Sequence, residues 1–179
     1  HRISHIWPEA DISRPWATRA GGADYGHLEL SHQRTLKTEI LRDALRRFGG
    51  LSGNPVDTVE VHAAPGDDEA GGLAWRTRVS LHATEAGKLG PYAEKSHTVI
   101  PVSTLPLATV NIQNSGVLDS SYEGASSVRV VDALSGIRLI IDNQKPQDLS
   151  EFVNGVEFRL NDHTFWQVHH QAPAVLQGA

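Results

Sequence analysis

Cysteine is absent from the 179 residues, and so is methionine. Without thiols the chain holds no disulfide, no thiolate metal site and no cysteine nucleophile. The missing initiator methionine reads as the mark of a piece of a longer protein. Long apolar runs are missing too, so no membrane span and no membrane partner are expected. No apolar h-region follows His1-Arg2-Ile3-Ser4-His5, so this opening is not read as a signal peptide, and cytoplasmic residence is the default. An excess of positive charge is also lacking. Lys+Arg number 16 against 21 Asp+Glu, a net charge of −5, which argues mildly against an autonomous nucleic-acid binder. No P-loop, G-x-S-x-G or dinucleotide fingerprint is found. There are ten histidines, but their spacing does not make a zinc site: His169 and His170 are adjacent, and His163 has no accompanying carboxylate pattern. No metal is expected. Asp67-Asp68-Glu69 lacks EF-hand spacing and reads as a solvated loop.

What is present suits a soluble globular domain, with 39% hydrophobic and 21% charged residues. Residues 1–26 form an irregular lead-in containing Pro8 and Pro15. A helix follows, with Leu36, Ile40, Leu41, Ala44, Leu45 and Phe48 at helical spacing and Gly49-Gly50 as its stop. Its basic residues Arg34, Lys37, Arg42, Arg46 and Arg47 most simply form a solvated face. Strand-like alternation appears over 56–62 and again over 75–83, and Glu85-Ala86-Gly87-Lys88 looks like a hairpin turn. Further strands are predicted at 97–102, 127–133, 137–142 and 155–160, with Leu134-Ser135-Gly136 as a short hairpin loop. Residues 106–118 are a weaker helix candidate, and a new helix is expected from His169. The sum is an α+β fold: a mostly antiparallel sheet of hairpins with one long helix packed on it. Arg76 and Arg78 fall on one face of an alternating strand. Two guanidinium groups there suit RNA phosphates or an extruded nucleotide, and equally suit a solvated face with acidic cross-strand partners.

The order of four local patterns resembles the RNA (uracil-5-)-methyltransferase family, over most of the chain. The patterns are Ala20-Gly21-Gly22-Ala23-Asp24-Tyr25-Gly26-His27 with Gln33-Arg34-Thr35-Leu36-Lys37; Trp75-Arg76-Thr77-Arg78-Val79; residues 96–107 through Leu105-Pro106; and Phe165-Trp166-Gln167-Val168-His169. The resemblance implies an S-adenosylmethionine-dependent enzyme that methylates C5 of uridine in structured RNA, tRNA or rRNA. It implies that Gln167 contacts S-adenosylmethionine and that Phe165 lies near the target base. It also tips Arg76 and Arg78 toward RNA contact. Members with an iron–sulfur cluster carry cysteines at positions that match Ala20, Ala23 and Leu105, so no iron–sulfur cluster is expected here. His169 stands where the family usually has Asn.

On this reading residues 1–162 are the central, RNA-side α+β domain. Residues 163–179 begin a Rossmann-like methyltransferase domain, before which the chain is truncated. The family's mechanism needs a cysteine that attacks uracil C6, and the chain has none. No catalytic residue is therefore assigned, and the isolated chain is expected to be inactive, its role being to position RNA. The alternatives are a non-catalytic RNA-binding or scaffold domain, a small-molecule hydrolase built on His82 or His97, and a purely structural fragment.

Overall fold

The computed structural model describes residues 6–179; the opening five, His1–His5, lie outside them. Two 3-10 turns, Pro8–Ala10 and Trp16–Thr18, interrupt the irregular lead-in. Helix α1 runs Leu30–Arg47 and a single turn, α2, spans Asn54–Asp57. Strand β1 is Arg78–Ala83 and β2 is Leu89–Gly90. After the short helix α3, Val110–Gln113, come β3 Ser127–Ala133, β4 Gly136–Ile141, β5 Asp148–Val153 and β6 Val156–Asn161. Helix α4, Ala172–Gly178, closes the order.

The strands form two antiparallel sheets: four strands ordered β2-β1-β3-β4, and the separate hairpin β5-β6. Alternation along β3 explains the layering. Val128 and Val130 face a core with Val79, Leu81, Leu105, Ile112 and the lead-in residues Trp7, Ala20 and Ala23. Val131 and Ala133, on the other face, pack with Ile140 and Leu149. Val128, Val130 and Val131 are all 0% exposed, because both faces of β3 are covered. Burial of each such side chain stabilises the fold by about 1.5–3 kcal/mol. Where the chain must turn sharply, glycine supplies the left-handed backbone: Gly136, at φ +108°, closes the β3–β4 hairpin.

The long helix exists, but it does not pack on the sheet. None of its residues is fully buried, and Ile40, Leu41 and the following Phe48 are exposed. Its partner is the segment from 54 to 72. Arg42 Nε donates to the Val59 carbonyl at 2.9 Å, and the Val61 N–H donates to Thr38 Oγ1 at 2.9 Å. These bonds also explain why the alternating stretch 56–62 is no strand. The Val59 carbonyl and the Val61 N–H bond to helix side chains, and the start of the stretch is wound into α2. Residues 97–102 contribute a bridge, Tyr92 to Val99, rather than a strand. Strand β5 has no counterpart among the predicted elements.

Candidate functional site

Thr77 decides the geometry. It is a bend between Arg76 and β1, so the alternation predicted from 75 to 83 does not run through it. The Thr77 carbonyl still accepts from Asp132 N of β3 at 2.8 Å, but the stretch Trp75–Thr77 also pairs with the end of the F-x-Q-V-H segment. Arg76 bridges antiparallel to His169, Thr77 N donates to the Val168 carbonyl at 2.7 Å, and His170 N donates to the Trp75 carbonyl at 3.0 Å. On its other side Arg76 N donates to the Leu107 carbonyl at 2.8 Å, and the Arg76 carbonyl accepts from Thr109 N at 2.9 Å.

The bend sends the two arginines into different surroundings. Arg78 points to β5, its Nη2 3.8 Å from Glu151 Oε1, and it donates from Nη1 to the Thr164 carbonyl at 2.6 Å. The side chains of Arg78 and Glu151 are 11% and 14% exposed, so this is an interior pair between the two sheets. Burial pushes the Glu151 carboxyl above its ordinary value; Arg78 pulls it down in part, while Asp132 adds to the rise. Arg76 instead lines a cavity of about 280 Å³ with Trp7, Gly21, Tyr92, Leu105 and Pro106. Its guanidinium carbon lies 4.8 Å from the Trp75 ring centroid. Its Nε is shielded from solvent and has no hydrogen-bond partner among the described residues. Burial lowers its pKa, and among the described residues no carboxylate forms an ion pair with it. The strand-face pair predicted from sequence is thus one interior brace, Arg78, and one half-buried cation, Arg76, with no carboxylate partner among the described residues.

The segment between these anchors carries the other two candidates. Thr164 is held by Arg78 and Val168 by Thr77, with a second bond from Thr77 Oγ1 to the Val168 carbonyl at 3.1 Å. Between them Phe165 is 79% exposed, whereas Trp166 is half-buried and packs on Phe158 with ring centroids 5.4 Å apart. Gln167 is half-buried and lines neither cavity described here. His169 stacks on Trp75 at 5.4 Å, and its Nε2 lies 2.9 Å from Asp67 Oδ1. Asp67 therefore is not a solvated loop residue; its other oxygen accepts from Ala64 N at 2.9 Å and closes its own turn. Its partner lies 102 positions away, beyond the reach of local spacing.

Ala20, Ala23 and Leu105 are 3%, 9% and 6% exposed and belong to one core cluster. Their side chains are hydrocarbon and offer iron no donor atom, so the residues present do not fit an iron–sulfur cluster. His82 and His97 are brought near each other, with Tyr92 between them: His82 stacks on Tyr92 at 3.6 Å and His97 meets that ring edge-on at 5.3 Å. No group of three or more potential metal-ligating side chains occurs among the described residues.

A protein of Bifidobacterium longum named as an uncharacterized RNA methyltransferase is 29% identical over 98% of this chain. One from Streptomyces avermitilis with the same description is 28% identical over 89%. The chain resembles the RNA (uracil-5-)-methyltransferase family. It spans just under half the length of these relatives, 44% and 46% respectively. Among solved structures, the Pyrococcus abyssi tRNA (uracil-54, C5)-methyltransferase in complex with S-adenosyl-L-homocysteine superimposes with a TM-score of 0.56 at 13% identity. That match covers 91% of this chain and 50% of the Pyrococcus one, and it shows a shared fold. No family model matches the chain. The chain is thus related to RNA methyltransferases, and its α+β architecture of antiparallel strands is found in one of them.

Proposed function

We propose that this chain is the RNA-facing portion of an S-adenosylmethionine-dependent methyltransferase that acts on C5 of uridine in tRNA or rRNA. One observation carries the reading: Arg76, a half-buried cation with no carboxylate partner among the described residues, sits in the same three-residue ladder as His169 of Phe165-Trp166-Gln167-Val168-His169. A half-buried guanidinium with no carboxylate partner among the described residues is partly desolvated, and an anion brought by a ligand would compensate it. RNA phosphate is such an anion, and guanidinium matches it in two-pronged geometry.

A division of labour goes with this reading. Arg76 takes the backbone of the RNA. Phe165, projecting into solvent from a segment pinned on both sides, offers a ring on which an extruded uracil can stack. Gln167 has an amide that both donates and accepts, as the polar groups of S-adenosylmethionine require. Arg78 acts one step removed, holding the Thr164 carbonyl and so the start of the Phe165 segment. Uracil C5 is a weak nucleophile, and a thiolate addition at C6 is needed to activate it. This cysteine-free chain does not supply that thiol. The isolated 179 residues should therefore transfer no methyl group.

The direct test is nucleoside analysis. The protein translated from the complete reading frame is incubated with S-adenosylmethionine and unmodified tRNA and rRNA, and digested products are resolved by mass spectrometry. 5-Methyluridine is the expected product. RNA methylated at any other atom would replace the uridine-C5 reading, and RNA bound without methylation would favour a non-catalytic RNA-binding domain.

A further inference from the structure

A second cavity, about 390 Å³, lies beside the Arg76 groove and shares Gly22 and Leu107 with it. Its size is within the range of small-ligand sites, roughly 300–1,000 Å³. Nothing in the family resemblance or the relatives' names assigns it a role. Two cations from successive turns of α1, Arg34 and Lys37, line it. Tyr25 and Trp75 supply aromatic surface, and His169 and Asp67 form their hydrogen-bonded pair in its wall.

The charges in this cavity are not equivalent. Arg34 is paired with Asp68, whose side chain is 60% exposed. Lys37 forms no ion pair among the described residues; its ammonium lies 5.9 Å from the centroid of Tyr25. One free cation suits the single charge of a phosphodiester better than a di- or polyphosphate. Asp24 and Asp67 also line the space, so it is not uniformly basic. A ligand with an anion at one end, a planar body and hydroxyl or amino donors elsewhere satisfies that mixture. A ribonucleotide has all three: a phosphate for Lys37, a base for the aromatic rings, and a 2′-hydroxyl that can donate to a carboxylate.

We infer that this cavity is a second RNA subsite, holding one ribonucleotide of the strand next to the one engaged by Arg76. The choice of RNA as ligand rests on the function proposed above; the cavity and its cation do not. His169 links the two subsites physically. It stacks on Trp75, pairs with Asp67 in the wall, and belongs to the segment that carries Phe165. Occupation of the cavity would thus bear on the residues that present the target base.

The experiment uses the 179-residue chain and a fluorescein-labelled ten-nucleotide oligouridine, read by anisotropy over a salt series. The matched DNA oligomer and free uridine 5′-monophosphate serve as competitors. Lys37→Ala removes the free cation from an exposed helix position without disturbing packing, and Tyr25→Leu removes the ring. Each is expected to weaken RNA binding about five- to tenfold. Lys37→Ala should also lower the salt slope by about 0.7, the share of one phosphate contact on a single strand. Arg47→Ala, on an exposed arginine paired with Asp43, should change nothing. DNA and the free nucleotide should compete poorly.

Folded Lys37→Ala and Tyr25→Leu proteins that bind like wild type, while Arg76→Met weakens binding, would overturn the subsite and leave the RNA reading standing. Free nucleotide binding as tightly as the oligomer would overturn the assignment to an RNA strand. A wild-type chain with no affinity for the oligomer would remove the RNA reading, and the subsite with it.

Discussion

Arg78 donates from Nη1 to the carbonyl oxygen of Thr164 at 2.6 Å, reaching across 86 positions of sequence. One residue earlier, Thr77 takes the Val168 carbonyl at 2.7 Å. The three residues between Thr164 and Val168 are therefore suspended from two points on the segment that leads into β1. Phe165, 79% exposed, thus sits on a backbone tied at both ends.

Removal of this brace should be costly. In Arg78→Ala the interior Glu151 loses its counter-charge and Thr164 its donor. A loss of about 2–4 kcal/mol is expected in urea unfolding, since breaking a buried pair strands the remaining charge. Arg78→Lys should recover only part of it, because one ammonium cannot reproduce the planar fork. A loss below about 0.5 kcal/mol, the level of an exposed pair, would show that the brace carries little.

Asp162 is a residue that composition does not single out. Its side chain is 0% exposed, and it accepts from Arg138 Nε at 3.2 Å and Gln147 N at 3.1 Å. Asp162→Ala leaves two donors unmet next to the β5–β6 hairpin and should destabilise by about 2–4 kcal/mol. Hydrogen exchange should show the faster opening concentrated at β5 and β6. Uniform change across both sheets would instead mean that the two layers open as one unit.

Strand β2 has its own constraint. A Cβ on Gly90 would lie 1.8 Å from the Ile100 carbonyl oxygen and 2.6 Å from its carbonyl carbon. Backbone cannot give way as a side-chain tip can, so Gly90→Ala should cost about 3 kcal/mol or more. Thermal melts resolve this readily. An unchanged midpoint would mean that the 89–102 region is looser than its hydrogen bonds imply.

Burial lowers the pKa of His82 below the usual histidine value, and the charge of nearby His97 lowers it further, against a raising hydrogen bond at Ser126. The folded state then binds this proton less readily than the unfolded one. The corresponding stability is present above the unfolded value of 6.5 and is lost as pH falls through the folded pKa. The melting midpoint should accordingly drop between pH 7 and pH 5, and His82→Phe, which keeps a ring against Tyr92, should flatten the drop. An equal drop in the variant would assign it to other groups.

Local chemistry was legible where the chain pairs with its near neighbours. The β3–β4 hairpin follows from Leu134-Ser135-Gly136 between alternating runs, and the turn at 85–88 delivers β2 to β1 as expected. The alternation at 56–62 misled, because helix side chains take the Val59 carbonyl and the Val61 N–H, and among the described residues no strand pairs with it. The packing of α1 misled as well: Leu36, Ala44 and Leu45 are half-buried, while Ile40, Leu41 and Phe48 stay exposed. At the site, Arg76 and Arg78 looked equivalent in sequence. The bend at Thr77, set by pairing with Val168 far along the chain, separates them. Asp67 looked solvated because its partner, His169, is equally remote.

The RNA affinity of Arg76→Met as a function of salt, beside its unfolding free energy, decides whether the Arg76 groove faces RNA. Methionine keeps most of the arginine's apolar stem without the partly desolvated charge, so stability should hold or rise by about 1 kcal/mol. RNA affinity should nevertheless fall about tenfold, with a salt slope lower by close to one phosphate contact. Affinity and slope equal to wild type, in a variant that folds as well, would contradict the claim that this groove faces RNA.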